Sequence, residues 1–145
     1  MKGSYILIIN ISKSREIVIG SLGKIFFRAG FYAYVGSGMS GLEARVRRHL
    51  RKKKKRFWHI DYLLEKARVA DVIMIESKNK LECEIARRFS THLISIKKFG
   101  SSDCKCNSHL FYLGSKFPGM LINEIYAARA IIIKHGSLII EQEDT

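Results

Sequence analysis

Hydrophobic residues near the start of the chain are spaced as in β-strands. The segment 4–11 is rich in Tyr, Ile and Leu and predicts a buried strand. A turn at 12–15 leads into two short apolar segments, 16–20 and 24–28, which we expect to form two further strands. Another strand is predicted at 30–36, where a Gly/Ser turn ends it.

The next segment has the spacing of a helix. Leu42, Val46 and Leu50 recur at i, i+4 and i+8 and form one apolar stripe. Ser40 and Glu43 have the spacing of a capping box, which predicts the start of the helix at Ser40. A side chain at the edge of the stripe can reach a cleft while its stem stays packed. Four polar residues lie there: Arg45, Arg48, His49 and Lys52.

Beyond residue 57, helical and strand-like patterns are mixed. We predict helices at 58–67, 80–89 and 120–134, strands at 69–76, 92–96, 109–113 and 137–140, and a loop at 99–107. Because the elements do not alternate strictly as βαβ, the predicted class is α+β (mixed α/β), with a small central sheet flanked by helices. No linker divides the chain, so we expect a single domain over 1–145.

Composition excludes several classes of protein. With 145 residues, 47% of them hydrophobic, and one Pro, the chain is not disordered as a whole. Its apolar runs fall far short of the ~20 residues that a bilayer span needs, and polar residues interrupt any secretory leader. Three cysteines cannot form a closed disulfide set. We therefore expect a cytoplasmic protein with no membrane partner.

Charge points to a polyanionic partner. The formal net charge is +13, and nine of the twelve residues in 45–56 are Lys or Arg, with no acid between Glu43 and Asp61. A solvated helix face, an import signal or a membrane-binding patch are alternatives, but such a block repels itself without a counter-charge, so we predict nucleic-acid binding, with DNA favoured. The candidate contacts are Ser37, Arg48, Lys52, Lys53, Lys54, Lys55 and Arg56.

Four short motifs occur in a fixed order. Gly3-Ser-Tyr5 opens the first strand, Tyr34-Val-Gly-Ser37 closes a later one, Arg45 and His49 lie on the basic helix, and Leu81-Glu-Cys-Glu-Ile85 lies on a later helix. This order resembles the GIY-YIG nuclease superfamily, which includes homing endonucleases and the incision subunit of excision repair. The stretch from Tyr34 to His49 is the most specific part.

Three further segments are similar to a compact, mostly archaeal branch of uncharacterised GIY-YIG-related proteins. They are Trp58-His-Ile-Asp-Tyr-Leu63, Glu82-Cys-Glu84, and Phe99-Gly-Ser-Ser-Asp-Cys-Lys-Cys followed by His109-Leu-Phe111. The likeness covers about residues 3–112. The remaining part, 118–145, is expected to pack on this domain as a helix and a strand.

The resemblance implies a three-stranded sheet flanked by helices and single-metal hydrolysis of a phosphodiester. By this likeness, Tyr5 and Tyr34 contact the attacking water and the phosphate, and Arg45 stabilises the developing charge. His49 assists, and Glu82 holds one Mg²⁺ or Mn²⁺. The two tyrosine motifs usually share a tight hairpin, whereas here the intervening segment is long enough for two extra strands. The residue types suit the chemistry, which needs a metal, a cation and a proton acceptor.

Alternative interpretations remain for each candidate. The two tyrosines are also typical core aromatics, and Arg45 and His49 are alternatively ordinary surface groups. Helical phase places Glu82 within the apolar arc of Leu81 and Ile85, and Glu84 on the opposite face near Arg88. Burial favours Glu82 over Glu84 as the metal ligand, although a structural salt bridge to Arg45 or Lys24 would also bury it. His59 and Asp61 are either an acid–base or metal pair or, as we expect, structural.

Cys104-x-Cys106-x-x-His109 is the second candidate constellation. Zinc sites favour gaps of about two to four residues between cysteines, so zinc is not expected here. A fourth ligand would have to be Cys83, His92 or Asp103. We expect buried thiols in a loop that closes over the cleft.

The leading interpretation is a metal-dependent endonuclease acting on DNA or structured nucleic acid. The first alternative is a non-catalytic nucleic-acid-binding module that uses the same basic helix. The second is a protein whose Cys/His loop senses metal or redox state.

Overall fold

Strands and helices are mixed along the chain, as the sequence predicts. The computed structural model of the protein describes residues 1–102, 104–128 and 132–134, and only the backbone of 126–128 and 132–134. Its strands are β1 (Gly3–Ile11), β2 (Arg15–Val18), β3 (Lys24–Phe27), β4 (Gly30–Ser37), β5 (Arg68–Glu76), β6 (Ile94–Ser95), β7 (Leu110–Gly114) and β8 (Ile132–Lys134). Its α-helices are α1 (Leu42–Leu50), α2 (His59–Leu64), α3 (Glu82–Ser90) and α4 (Gly119–Ala128).

The main sheet is antiparallel and is built around β1. Within the described ranges its strand order is β6-β7-β4-β1-β5-β8, while β2 and β3 pair as a separate hairpin. The α+β class is therefore confirmed, and so are the two extra strands between the tyrosine motifs. The three-stranded sheet that the resemblance implies is wrong, because β6 and β7 add to the β4 edge and β8 adds to the β5 edge.

Side chains of β1 alternate between two cores, one on each face of the sheet. Tyr5, Leu7 and Ile9 pack toward α1 and α2, whereas Ile6 and Ile8 pack toward α3 and α4. Both faces are thus covered by helices. This explains why β1 is an almost continuous apolar run rather than an alternating one.

The start of α1 differs from the prediction. Gly41, with φ 145°, precedes the helix and provides no side-chain cap, so the Ser40 capping box is wrong. Glu43 instead pairs with the Met1 amino group at 3.0 Å. The helix ends at Leu50, and Lys52 therefore lies in the following loop rather than on the helix.

The C-terminal part is also only partly as predicted. The expected helix at 120–134 ends at Ala128, and Ile132–Lys134 pairs with β5 instead, because β-branched residues favour the open strand edge. The predicted strand at 92–96 shortens to Ile94–Ser95, and the one at 137–140 lies outside the described residues. Across the described ranges, no helix has the length and apolarity to cross a bilayer.

Candidate functional site

A cleft opens where the ends of β1 and β4 meet α1, the start of α3 and the 99–109 segment. Its volume is about 260 Å³, and Tyr5, Tyr34, Arg45 and Glu82 all line it. His49 lies behind Tyr5 rather than in the cleft wall. The fold thus brings together the five residues that the resemblance names, which come from four separate elements.

The two tyrosine motifs are joined by sheet register. Tyr5 lies opposite Gly36 in the β1–β4 pair. A Cβ atom at position 36 would lie 2.2 Å from Cζ of Tyr5, so only glycine leaves room for the ring. The ring of Tyr34 is tilted against that of Tyr5, with 6.4 Å between centroids.

Tyr5 and His49 form a buried pair. The Tyr5 hydroxyl and His49 Nε2 are 2.5 Å apart, and the two side chains are 1% and 2% exposed. Burial lowers the pKa of His49 to about 3, so the imidazole is neutral at physiological pH. Burial also raises the pKa of Tyr5, against the opposing effect of a hydrogen bond from Arg45. Burial raises the pKa of Tyr34 as well.

Arg45 is held at the cleft by several contacts. Its Nη1 donates to the Ser37 carbonyl oxygen at 3.3 Å. Its guanidinium carbon lies 4.5 Å from the centroid of the Trp58 ring, while that of Arg48 lies 4.3 Å from the same centroid. Trp58 therefore positions two cations at once. This role was not predicted, although an aromatic residue two positions after the basic run could have indicated it.

Arg48 faces Asp61. Its two terminal nitrogens donate to the two carboxylate oxygens at 2.9 Å each, and backbone N–H groups of Phe57 and Trp58 also donate to Asp61. Burial alone would raise the pKa of Asp61, but these donors outweigh it and hold the pKa below its usual value. Asp61, which lies outside the basic block in sequence, supplies the counter-charge for Arg48 and so has a structural role.

The cations at 52–56 form two groups, those whose side chains have protein partners and those whose side chains have none in the described ranges. Lys54 donates to the carbonyl oxygens of His49 at 3.0 Å and Arg51 at 2.6 Å, so it caps the end of α1. Arg56 pairs with Glu65 at 2.6 Å. Three lysines are exposed, and their amino groups have no hydrogen-bond partner in the described ranges: Lys52, Lys53 and Lys55.

Glu82 is buried at the beginning of α3, as helical phase predicts. It is 7% exposed; Oε1 lies 3.5 Å from Lys80 Nζ, and Oε2 is buried with no hydrogen-bond partner among the described residues. The ion-pair partner is thus Lys80 rather than Arg45 or Lys24. Glu84 is exposed and pairs with Arg88 at 3.3 Å.

A second cluster adjoins the same cleft. One potential ligand atom from each of Cys83, Cys104, Cys106 and His109 lies within 4.8 Å of the others. His92, one of the alternatives for a fourth ligand, is exposed and lies apart, and Asp103 is outside the described residues. His59 Nδ1 accepts a hydrogen bond from the Gly100 N–H at 2.9 Å and so connects α2 to this segment, again a structural role.

Comparison with known proteins gives one match. The family model described as the domain of unknown function DUF123, a GIY-YIG-like family, matches residues 4–130. No curated protein and no solved structure matches the chain significantly.

Proposed function

The chain belongs to the DUF123 family, and we propose that it is a metal-dependent endonuclease that hydrolyses phosphodiester bonds of DNA or structured nucleic acid. One observation carries the proposal: two tyrosines, an arginine and a buried carboxylate line the same cleft. The proposal includes a reducing, cytoplasmic environment, because the free thiols of the cluster would otherwise oxidise.

The carboxylate fits the hard cation that the family resemblance implies. Glu82 Oε2 is a buried oxygen without a partner in the described ranges, and it lies on a residue of the cleft wall. A single carboxylate suits Mg²⁺ or Mn²⁺, which keep several water ligands. Glu82 would hold this ion, which would polarise a phosphate oxygen and lower the pKa of water.

The cations and phenols of the cleft suit the rest of the reaction. Arg45 offers a fixed guanidinium to the phosphate oxygens, where negative charge builds as water attacks phosphorus. The Tyr5 hydroxyl, held by its hydrogen bond with His49 Nε2, orients that water, which gives up its proton to solvent as it attacks. The bond to the leaving sugar oxygen breaks, and that oxygen takes a proton from solvent. Tyr34 donates to the phosphate.

The basic loop that follows α1 provides the binding surface. Lys52, Lys53 and Lys55 are exposed, and their amino groups have no partner within the described ranges. Arg48 and Lys54 contribute to the field but are held by protein partners. Contacts of this kind follow the phosphate backbone and do not depend on sequence.

A non-catalytic binding module is the second candidate. It is favoured by the burial of the two phenols, since Tyr5 is 1% and Tyr34 8% exposed. A site that serves only to bind would retain the lysines and lose nothing by burying the tyrosines.

One experiment separates the two candidates. The protein is incubated with labelled duplex, branched and single-stranded nucleic acids in Mg²⁺, Mn²⁺ or EDTA. Cleavage confined to the metal-containing samples supports the nuclease. Retardation in a gel without cleavage of any form supports the binding module.

A further inference from the structure

We propose that Cys83, Cys104, Cys106 and His109 form a zinc site that fastens the 99–109 segment to the start of α3. This is separate from the Mg²⁺ or Mn²⁺ position at Glu82. The four residues come from two places far apart in the chain, and the fold alone makes them a set.

The geometry of the cluster suits tetrahedral coordination. Its four candidate ligand atoms lie within 4.8 Å of one another. With Zn–S bonds of about 2.3 Å, neighbouring ligands of a tetrahedral site are about 3.5–3.8 Å apart. Cys104 Sγ and His109 Nε2 are already 3.2 Å apart. Small side-chain rotations therefore suffice to close the remaining distances.

His109 is oriented as a zinc ligand. Its Nδ1 lies 3.0 Å from the Val35 carbonyl oxygen, and the side chain is 4% exposed. Because a carbonyl only accepts, Nδ1 carries the proton, and Nε2 presents its lone pair to the cysteines. A backbone carbonyl behind the ring is the usual outer partner of a metal-bound histidine, since it fixes both tautomer and orientation.

The thiols are positioned by two different elements. Cys83 lies in the first turn of α3, whereas Cys104 and Cys106 lie in the 99–109 segment. The short Cys104–Cys106 gap argues against a zinc knuckle, in which one turn supplies a cysteine pair. Here Cys83 and His109 complete the set of ligands. The usual gap of about two to four residues applies to two cysteines on one turn, and it is not required when the ligands come from separate elements.

Two cations near the cluster would offset the charge of a loaded site. Three thiolates, a neutral histidine and Zn²⁺ sum to one negative charge. Lys80 pairs with Glu82, whereas Arg87 and Lys105 line a depression that also exposes Cys83 and Cys106. These cations offset the charge of the loaded site.

Ligand type keeps the two metals apart. Sulfur and imidazole ligands select zinc, whereas a lone carboxylate with water selects Mg²⁺ or Mn²⁺. A zinc ion at the cluster would leave Glu82 Oε2 free. It would also hold one wall of the cleft, because Cys83, Cys104 and His109 line both features.

The test uses the full chain, reduced and stripped of metal with a chelator. Zn²⁺ and, separately, Co²⁺ are titrated, and bound metal, melting temperature and visible absorption are recorded. We expect one equivalent of either metal, a higher melting temperature with zinc, and Co²⁺ bands typical of tetrahedral thiolate coordination. Absence of stoichiometric binding by the reduced wild-type chain would overturn the proposal, whether or not any variant folds.

Matched variants locate the ligands. His109→Asn should weaken zinc binding at least tenfold and shift the Co²⁺ bands, whereas His92→Asn, the same change at an exposed histidine outside the cluster, should leave both unchanged. Cys83→Ser should lose the zinc-dependent rise in melting temperature. Equal zinc affinity for all three variants would contradict the assignment. Glu82→Gln should keep its zinc, so failure of the nuclease proposal and failure of this one are distinguishable.

Discussion

The two walls of the cleft satisfy their polar groups in different ways. On the α1 side, Arg48 and Asp61 are fully paired, and Trp58 stacks against two guanidinium groups. On the α3 side, Glu82 Oε2 has no partner in the described ranges, and three thiols and an imidazole face one another. Behind the first wall, the protein itself completes the pair of Arg48 and Asp61, and only His49 Nδ1 on α1 is buried without a hydrogen-bond partner in the described ranges. The second presents the donor atoms that cations need, which indicates where binding chemistry is located.

The largest effect is expected from breaking the completed wall. Asp61→Asn leaves the Arg48 guanidinium, whose side chain is only 15% exposed, without its counter-charge, and we expect a loss of about 3 kcal/mol in the free energy of unfolding, measured by urea denaturation. Glu65→Gln breaks the exposed pair with Arg56 and should cost about 0–1 kcal/mol. Equal losses in the two variants would show that Asp61 does not organise this wall.

A smaller effect is expected where the tyrosine motifs meet. Gly36→Ala places a methyl group against the Tyr5 ring, and we expect overpacking to cost about 1–3 kcal/mol in thermal or urea unfolding. Gly119→Ala is the control, because its nearest neighbour would be 4.0 Å away. If Gly36→Ala and the control have the same free energy of unfolding, the Tyr5 ring leaves room for a methyl group at position 36, which would contradict this close contact.

The buried His49 predicts a dependence of stability on pH. Its pKa in the folded chain is about 3, below the usual 6.5. Between pH 6.5 and pH 3, the unfolded chain therefore binds a proton at His49 that the folded chain does not bind. Stability is therefore unaffected by this group above pH 6.5 and falls toward pH 3, by up to about 1.4 kcal/mol per pH unit. His49→Gln should remove this part of the slope, and His92→Gln should not. Parallel curves for His49→Gln and wild type would refute the assignment.

The smallest effect on stability, although not on binding, is expected in the exposed basic loop. Replacing Lys52, Lys53 and Lys55 together with Ser should leave unfolding unchanged and flatten the salt dependence of DNA affinity by up to about 0.9 per lysine. Lys54→Ser should lower the free energy of unfolding, because its amino group caps α1, and should change the salt dependence of DNA affinity less. Titrations at several salt concentrations check both. An unchanged slope in the triple variant would remove this loop from the interface.

Much of the framework follows from local sequence patterns. The apolar run of β1 and the helical phase of Glu82 depend only on neighbouring residues, and the structure agrees with both. The predicted capping box at Ser40 is wrong because the Glu43 carboxylate pairs with the Met1 amino group, from a distant part of the chain, instead of with the start of the helix. The strand at 132–134 was missed because it depends on the open edge of β5.

Long-range partners explain what the sequence analysis missed at the site. The ion pair between Arg48 and Asp61 cannot be predicted from local patterns, because it requires α2 to fold back against α1. Cys104, Cys106 and His109 stand out along the chain, but only the packing of α3 shows that Cys83, rather than His92, lies beside them. Local periodicity determines which face a residue occupies, but not which distant residue lies opposite.

Metal-dependent cleavage by two glutamate variants tests the central claim most directly. Glu82→Gln and Glu84→Gln are the same change two residues apart, one in the cleft and one paired with Arg88 on the surface. With Mg²⁺ or Mn²⁺, we predict that Glu82→Gln binds nucleic acid as tightly as wild type but cleaves at least a hundredfold more slowly, while Glu84→Gln cleaves normally. Equal cleavage by the two variants, or loss of cleavage only in Glu84→Gln, would contradict the account.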